Sequence, residues 1–168
     1  MNRNSQDEVA VFVRGSDEEV LASASILDRY LAVTKCPLRR VWILDPVGDK
    51  GFEQIAELKG ITKLTVQSSR VSNASISSLV GCTDLQELTI NCPEVDCDGV
   101  KHLRTLSSLR LLDLGETKVT DNCLPILAGL PQLRALGLSE TRVSKEGVAM
   151  FQKDRPDVQV RDSFFHRE

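Results

Sequence analysis

From Leu109 the chain reads LRLLDLGETKVTDNCLPILAGLPQ, and 24 residues later, from Leu133, it reads LRALGLSETRVSKEGVAMFQKDRPD. At the same interval stand LQELTINCPEVDCDGVKHLRTLSS from Leu85 and ITKLTVQSSRVSNASISSLVGCTD from Ile61; a fifth copy, LRRVWILDPVGDKGFEQIAELKG from Leu38, lacks one residue just before Pro46. A period this short constrains the fold more than any composition does. A unit of this size cannot bury enough apolar surface to offset the ordering of its own backbone, so units must stack and share surfaces. The chain is therefore expected to form an elongated array whose ends need covers.

Each unit keeps an apolar residue at positions 1, 4, 6, 11, 16 and 19. Position 4 holds Val41, Leu64, Leu88, Leu112 and Leu136; position 6 holds Ile43, Val66, Ile90, Leu114 and Leu138; position 11 holds Val47, Val71, Val95, Val119 and Val143. The step of two between positions 4 and 6 predicts a short strand, and the step of three through 16, 19 and 22 predicts a helix, as in Phe52, Ile55 and Leu58 or Leu124, Leu127 and Leu130. Between them, Ser72, Asp96, Thr120 and Ser144 at position 12 are placed to accept from the free N–H groups at the helix start; the first unit has Gly48 there, a poorer cap.

The pattern L-x-x-L-x-L-x-x-T-x-V-T-D, carried by Leu109 to Asp121, resembles the leucine-rich repeats of the ribonuclease-inhibitor-like and cysteine-containing subfamilies, especially their bacterial relatives. The resemblance covers residues 38 to about 160 and departs at Pro93 (position 9), at Lys145 (position 13) and in the shortened first unit. It implies an α/β solenoid with right-handed strand-helix repeats, a parallel concave sheet and helices on the convex face. It also implies binding, and nothing narrower.

Two segments are expected: a strand-helix cap over 1–37, and five repeats with a C-terminal strand and tail over 38–168. In the cap, VAVFV (9–13) reads as a strand, and Ser16 to Glu19 form an S-x-x-E capping box before a helical run with Val20, Ala24, Leu27 and Leu31, closed by Pro37. Residues 1–7 are expected to be disordered. At the other end Asp154 replaces the apolar residue of position 22, and Val158 with Val160 predicts a last short strand. Phe164 and Phe165 in the tail are read as an end cap, with a docking motif as the alternative.

With 41% hydrophobic residues, 27% charged residues and a net charge of -3, the chain has the balance of a globular domain and lacks the clustered basic residues that nucleic acid or an anionic membrane would require. The apolar run Val9 to Val13 is far too short for a membrane span or a secretion signal. The five cysteines (Cys36, Cys82, Cys92, Cys97, Cys123) are odd in number and show no paired framework, so free thiols, no disulfides and a cytoplasmic location are expected.

Cys92, Cys97 and His102 form a spaced array without a fourth zinc ligand, so no metal and no cofactor are expected. No G-x-S-x-G motif accompanies the two histidines, His102 and His166; Gly48 to Gly51 lacks a phosphate-loop spacing; and Asp113 with Glu116 would do acid-base work only in a closed cleft. The expected function is thus a non-enzymatic protein-interaction module.

Its contact surface should be the sheet face opposite the core, made of positions 3, 5 and 7. The partner-binding candidates are Arg40, Trp42, Leu44, Lys63, Thr65, Glu87, Thr89, Leu111 and Asp113. Trp42, the sole tryptophan, beside Arg40 makes the pairing most enriched at binding hot spots, unless the N-terminal cap covers it. Early units carry basic residues on this face (Arg40, Lys63) and later ones acids (Glu87, Asp113, Glu116, Glu140), while Gly115, Ala135 and Gly137 leave the last units nearly bare. Five strands span only about 19 Å, which suits a protein partner presenting a short peptide or one helix. The alternative is a structural, self-associating unit forming a homodimer through the sheet face or the tail.

Overall fold

A computed structural model describes residues 9–20, 38–58 and 60–161. Among them seven strands lie side by side in chain order, all parallel: β1 (Val9–Val13), β2 (Leu38–Leu44), β3 (Lys63–Gln67), β4 (Glu87–Asn91), β5 (Leu111–Asp113), β6 (Ala135–Gly137) and β7 (Gln159–Arg161). The register is that of the repeat. Val41, Leu64, Leu88, Leu112, Leu136 and Val160 pair in succession along one column, and the columns on either side pair likewise.

Positions 4, 6 and 11 are buried from Val41 to Val119, as are Phe52, Ile55, Ile76, Leu79, Val100, Leu103, Leu124 and Leu127 of the helical side. One continuous core thus runs between sheet and helical turns along the described array. The molecule is a leucine-rich-repeat solenoid of α/β class.

The convex side is less helical than the spacing of three predicts. α1 (Asp49–Ala56) and α5 (Lys145–Asp154) are full helices, but α2 (Asn73–Ile76) and α3 (Cys97–Val100) last one turn and continue as tighter 3-10 turns over Ser77–Gly81 and Lys101–Thr105, and α4 (Leu124–Ala128) is also short. Serine chemistry accounts for part of this. Ser77 and Ser78 donate to the carbonyls of Ala74 and Ser75, each at 2.6 Å, competing with the α ladder for the same acceptors.

Three of the position-12 caps form as expected: Ser72 accepts from the Ala74 N–H, Asp96 from Asp98 and Ser144 from Gly147. Thr120 does not cap; its Oγ1 instead lies 3.5 Å from the sulfur of Cys97. A second set of bonds, running between units, was not legible in any single unit. Asp49 accepts from the N–H and hydroxyl of Ser72 (2.7 and 2.8 Å) and from Ser75 Oγ (2.5 Å); Asn73 exchanges bonds with Asp96; Asp121 accepts from the N–H and hydroxyl of Ser144. The position-13 side chains Asp49, Asn73 and Asp121 thereby hold the helix start of the next unit. Lys145 breaks the pattern in the last unit, where the described array presents no further convex turn to hold.

The expectation of free thiols fails at one pair. Cys97 and Cys123, 26 residues apart, form a disulfide with Cα atoms 5.1 Å apart. They occupy positions 13 and 15 of successive units, columns that face each other across the stack, so no spacing within one unit could reveal them. Cys82 and Cys92 are buried thiols, and burial pushes Cys92 up to about 12, leaving it inert at neutral pH. Cys36 lies outside the described residues.

In the cap, β1 pairs with β2, and the Ser16–Glu19 box closes: the Ser16 N–H donates to the Glu19 carboxylate at 2.7 Å and Glu19 N–H to Ser16 Oγ at 3.4 Å. Residues 17–20 are helical and Val20 is buried, whereas Ala24, Leu27, Leu31, Pro37 and residues 1–7 fall outside the described residues, as do Phe164 and Phe165. At the other end β7 forms as expected, and the Arg155 guanidinium donates to the carbonyls of Ala128, Leu130 and Leu133, satisfying acceptors that the short α4 leaves open.

Hydrogen bonds from Ser144 hold the Asp121 carboxyl below its ordinary value, and at Asp49 bonds from Ser75 and Ser72 outweigh the opposing effect of burial. A carboxyl depressed in the fold stabilises fully above its unfolded value of about 3.9 and loses that contribution as pH falls through the folded value. Urea midpoints should therefore hold from pH 7 to about 5 and drop below about 4, and Asp49→Asn, copying Asn73, should make the drop shallower. Separately, Glu116 and Glu140 sit at φ 60° and 54°, a conformation that strains any residue with a Cβ. Glu116→Gly should stabilise by about 0.5 to 1 kcal/mol, read as a higher urea midpoint.

Candidate functional site

The sheet face opposite the core collects the candidate residues at its N-terminal half. Arg40, Lys63, Glu87 and Leu111 are in register along one column, and Trp42, Thr65, Thr89 and Asp113 along the next. All but Asp113 line an open depression of about 220 Å³, to which Leu64 adds its edge. Leu44, half-buried, lies in the third column beside Gln67.

The strongest feature of this face comes from a residue outside the candidate set. Phe12 of β1 pairs in register with Trp42, and the two rings stack with centroids 4.5 Å apart and planes within 6° of parallel. The Arg40 guanidinium carbon sits 5.4 Å from the Trp42 ring centroid. Phe12 therefore covers one face of the Trp42 ring and extends the aromatic surface, with Trp42 left half-buried and Phe12 itself 68% exposed. The signal for this was the alternation in VAVFV: once Val11 and Val13 face the core, Phe12 must face outward.

Two candidates are withdrawn from solvent. Thr89 and Asp113 are only 3% and 4% exposed. Asp113 turns back onto its own backbone and accepts from the Gly115 N–H at 3.0 Å. Gly115 is not a bare spot either: a Cβ there would meet Ser139 Oγ at 3.1 Å and Asn91 Nδ2 at 3.3 Å. The polar shoulders of neighbouring strands already fill the space expected for a partner backbone.

The charge gradient is also partly cancelled within the face. Lys63 and Glu87 form a half-exposed salt bridge at 3.0 Å, worth at most about 1 kcal/mol after screening. Its consequence is for recognition, since the centre of the face presents a paired charge beside the aromatic stack. On the convex side a second concavity of about 240 Å³ lies between α4 and α5, floored by Leu124, Ala128 and Phe151 and edged by Met150. His102 is exposed on the turn after α3, and with Cys97 bonded to Cys123 and Cys92 buried in the core, that array is split between three environments.

Against solved structures, the chain is similar to internalin C2 of Listeria monocytogenes, with a TM-score of 0.57 and 22% identity over 73% of this chain. The likeness is one of fold. The chain spans half the length of that internalin. A second internalin of the same organism aligns with 73% of this chain and 60% of its own at 13% identity, with a TM-score of 0.26 that is too low to bear on the fold. No protein-family model and no curated protein matches the sequence. The likeness to internalin C2 supports the leucine-rich-repeat fold and does not assign the chain to the ribonuclease-inhibitor-like subfamily.

Because Trp42 is the only tryptophan, its emission reports on the stack directly. Phe12→Ala should shift that emission to the red and cost about 0.5 to 1.5 kcal/mol, the value of a stacked aromatic pair, while leaving the circular dichroism of the repeats unchanged. An unshifted emission would mean that Phe12 does not cover Trp42 in solution.

Proposed function

We propose that the chain is a protein-interaction module that binds its partner through the N-terminal half of the concave face, without catalysing a reaction. The observation that carries this reading is the stack of Phe12 on Trp42 with Arg40 alongside, on a sheet face that faces solvent. Aromatic residues and Arg dominate the energetics of protein interfaces because they bury large areas with little loss of side-chain freedom, and Arg adds directional donors. Phe12, Trp42, Arg40 and Lys63, with Thr65, Leu44, Glu87 and Leu111 around them, form the contact set; Thr89 and Asp113, nearly inaccessible, drop out of it.

The chemistry argues in the same direction. A shallow open depression excludes little water, which acid-base catalysis would need it to do, and the same openness suits a peptide or helix laid across the strands. A partner offering an apolar side chain to the aromatic stack and a carboxylate to the Arg40 edge would match the polarity of this end. The internalin likeness adds support by analogy of fold alone. On location, the Cys97–Cys123 bond removes the premise of a cytoplasmic reading and favours an oxidising compartment.

The test is affinity capture with the wild-type chain and with an Arg40→Glu, Trp42→Ala double variant, both first shown to be folded by circular dichroism, with bound proteins identified by mass spectrometry. A protein held by the wild type should be lost, at least about tenfold, with the variant. Equal capture by both chains would place the interface elsewhere, and capture of nothing but the chain itself would favour the self-associating homodimer.

A further inference from the structure

Successive convex turns are joined by one device, repeated along the stack. The side chain at position 13 places an oxygen against the N–H at position 12 of the next unit and beside a small residue at its position 15. In the cap, Asp17 accepts from the Gly48 N–H at 2.7 Å, and a Cβ on Gly51 would meet that carboxylate at 3.0 Å. Asp49 takes Ser72 and Ser75, Asn73 takes Asp96 above Gly99, and Asp121 takes Ser144 above Gly147. Of the five steps among the described residues, only that from the third unit to the fourth departs. There position 13 is Cys97, position 15 is Cys123, and the two sulfurs are bonded.

A second observation falls at the same step. The sheet pairs five residues between β3 and β4 but only three between β4 and β5. The narrowing of the sheet thus coincides with the one place where a covalent bond replaces the polar rung.

We propose that the Cys97–Cys123 disulfide is a redox-controlled rung that couples the cap and first three units to the last two, and that its reduction by a dithiol loosens the array at this step alone. Cys97 is the partly exposed residue of the pair and Cys123 is fully buried, so attack comes at Cys97. A thiolate of the dithiol bonds to Cys97 Sγ as the Cys97–Cys123 bond breaks, and Cys123 leaves as a thiolate that takes up a proton. The second thiolate of the reductant then attacks its own sulfur in the mixed disulfide, releasing Cys97, which is protonated in turn. Two electrons and two protons pass from the dithiol to the protein, and the reductant becomes a disulfide. The resulting Cys97 thiol is a far weaker acceptor than the carboxylate or amide at the other steps, so no strong polar rung takes the bond's place.

The inference is independent of any partner. Its test is hydrogen exchange by mass spectrometry on the full chain in four forms: air-oxidised, reduced with dithiothreitol, carrying Cys97→Ala with Cys123→Ala, and carrying Cys97→Asp with Cys123→Ser, the double variant that copies the pair at Asp49 and Ser75. Reduction should speed exchange of amides in 111–130 by about tenfold or more while leaving 61–80 within about threefold. The double variant should retain protection close to that of the oxidised chain and ignore the reductant.

The proposal is overturned if reduction leaves 111–130 unchanged, if protection is lost evenly along the chain, or if alkylation finds five free thiols in the oxidised protein. It is also overturned if the double variant protects no better than Cys97→Ala with Cys123→Ala. Should the variants fail to fold, the oxidised and reduced wild-type chains still decide the matter.

Discussion

In four of the five repeats the convex turn opens with a backbone N–H that finds no partner in the strand ladder, and the coil before it supplies the oxygen to which that N–H donates. Asp17, Asn73 and Asp121 each bond the N–H at the next coil's turn, and Asp49 bonds a hydroxyl as well. An N–H shielded from water costs free energy when left without an acceptor, and three of these four bonds are partly buried, so they favour one placement of each coil on the next. They also explain why positions 15 stay small: Gly51, Ser75, Gly99 and Gly147 leave room for the incoming oxygen. The apolar columns hold the stack together without direction; the polar rungs give it a register.

That register is what produces a usable surface. With strands aligned residue for residue, position 5 of the first unit lies beside the matching residue of β1, and Phe12 stacks flat on Trp42. A slip of one residue would send Phe12 into the core and a valine out. The face is therefore a product of stacking order as much as of composition. Its aromatic end presents the exposed Phe12, its centre pairs Lys63 with Glu87, and Gly115 is flanked by Asn91 and Ser139.

The two cysteines show how a single rung can be exchanged for another of different chemistry. Cys97 stands where other units place Asp or Asn, and Cys123 where they place Gly or Ser. A covalent link there closes a 26-residue loop, which a chain-entropy account values at about 3 kcal/mol, more than a polar rung supplies. The strength is conditional, because a polar rung is indifferent to reductants and a disulfide is not.

The 24-residue recurrence, with its steps of two and three, by itself determined the solenoid, the strand positions, the inward columns and most of the caps, because those depend only on periodicity and on contacts within one unit. The outward placement of Arg40, Trp42 and Lys63 was legible for the same reason. What only the tertiary structure decided were relations between units: the position-13 rungs, the bond between Cys97 and Cys123, the stacking of Phe12 on Trp42, and the burial of Thr89 and Asp113. Residues about 24 positions apart in the chain become nearest neighbours only once the coils are stacked, and no pattern read along one coil contains the distance to the next.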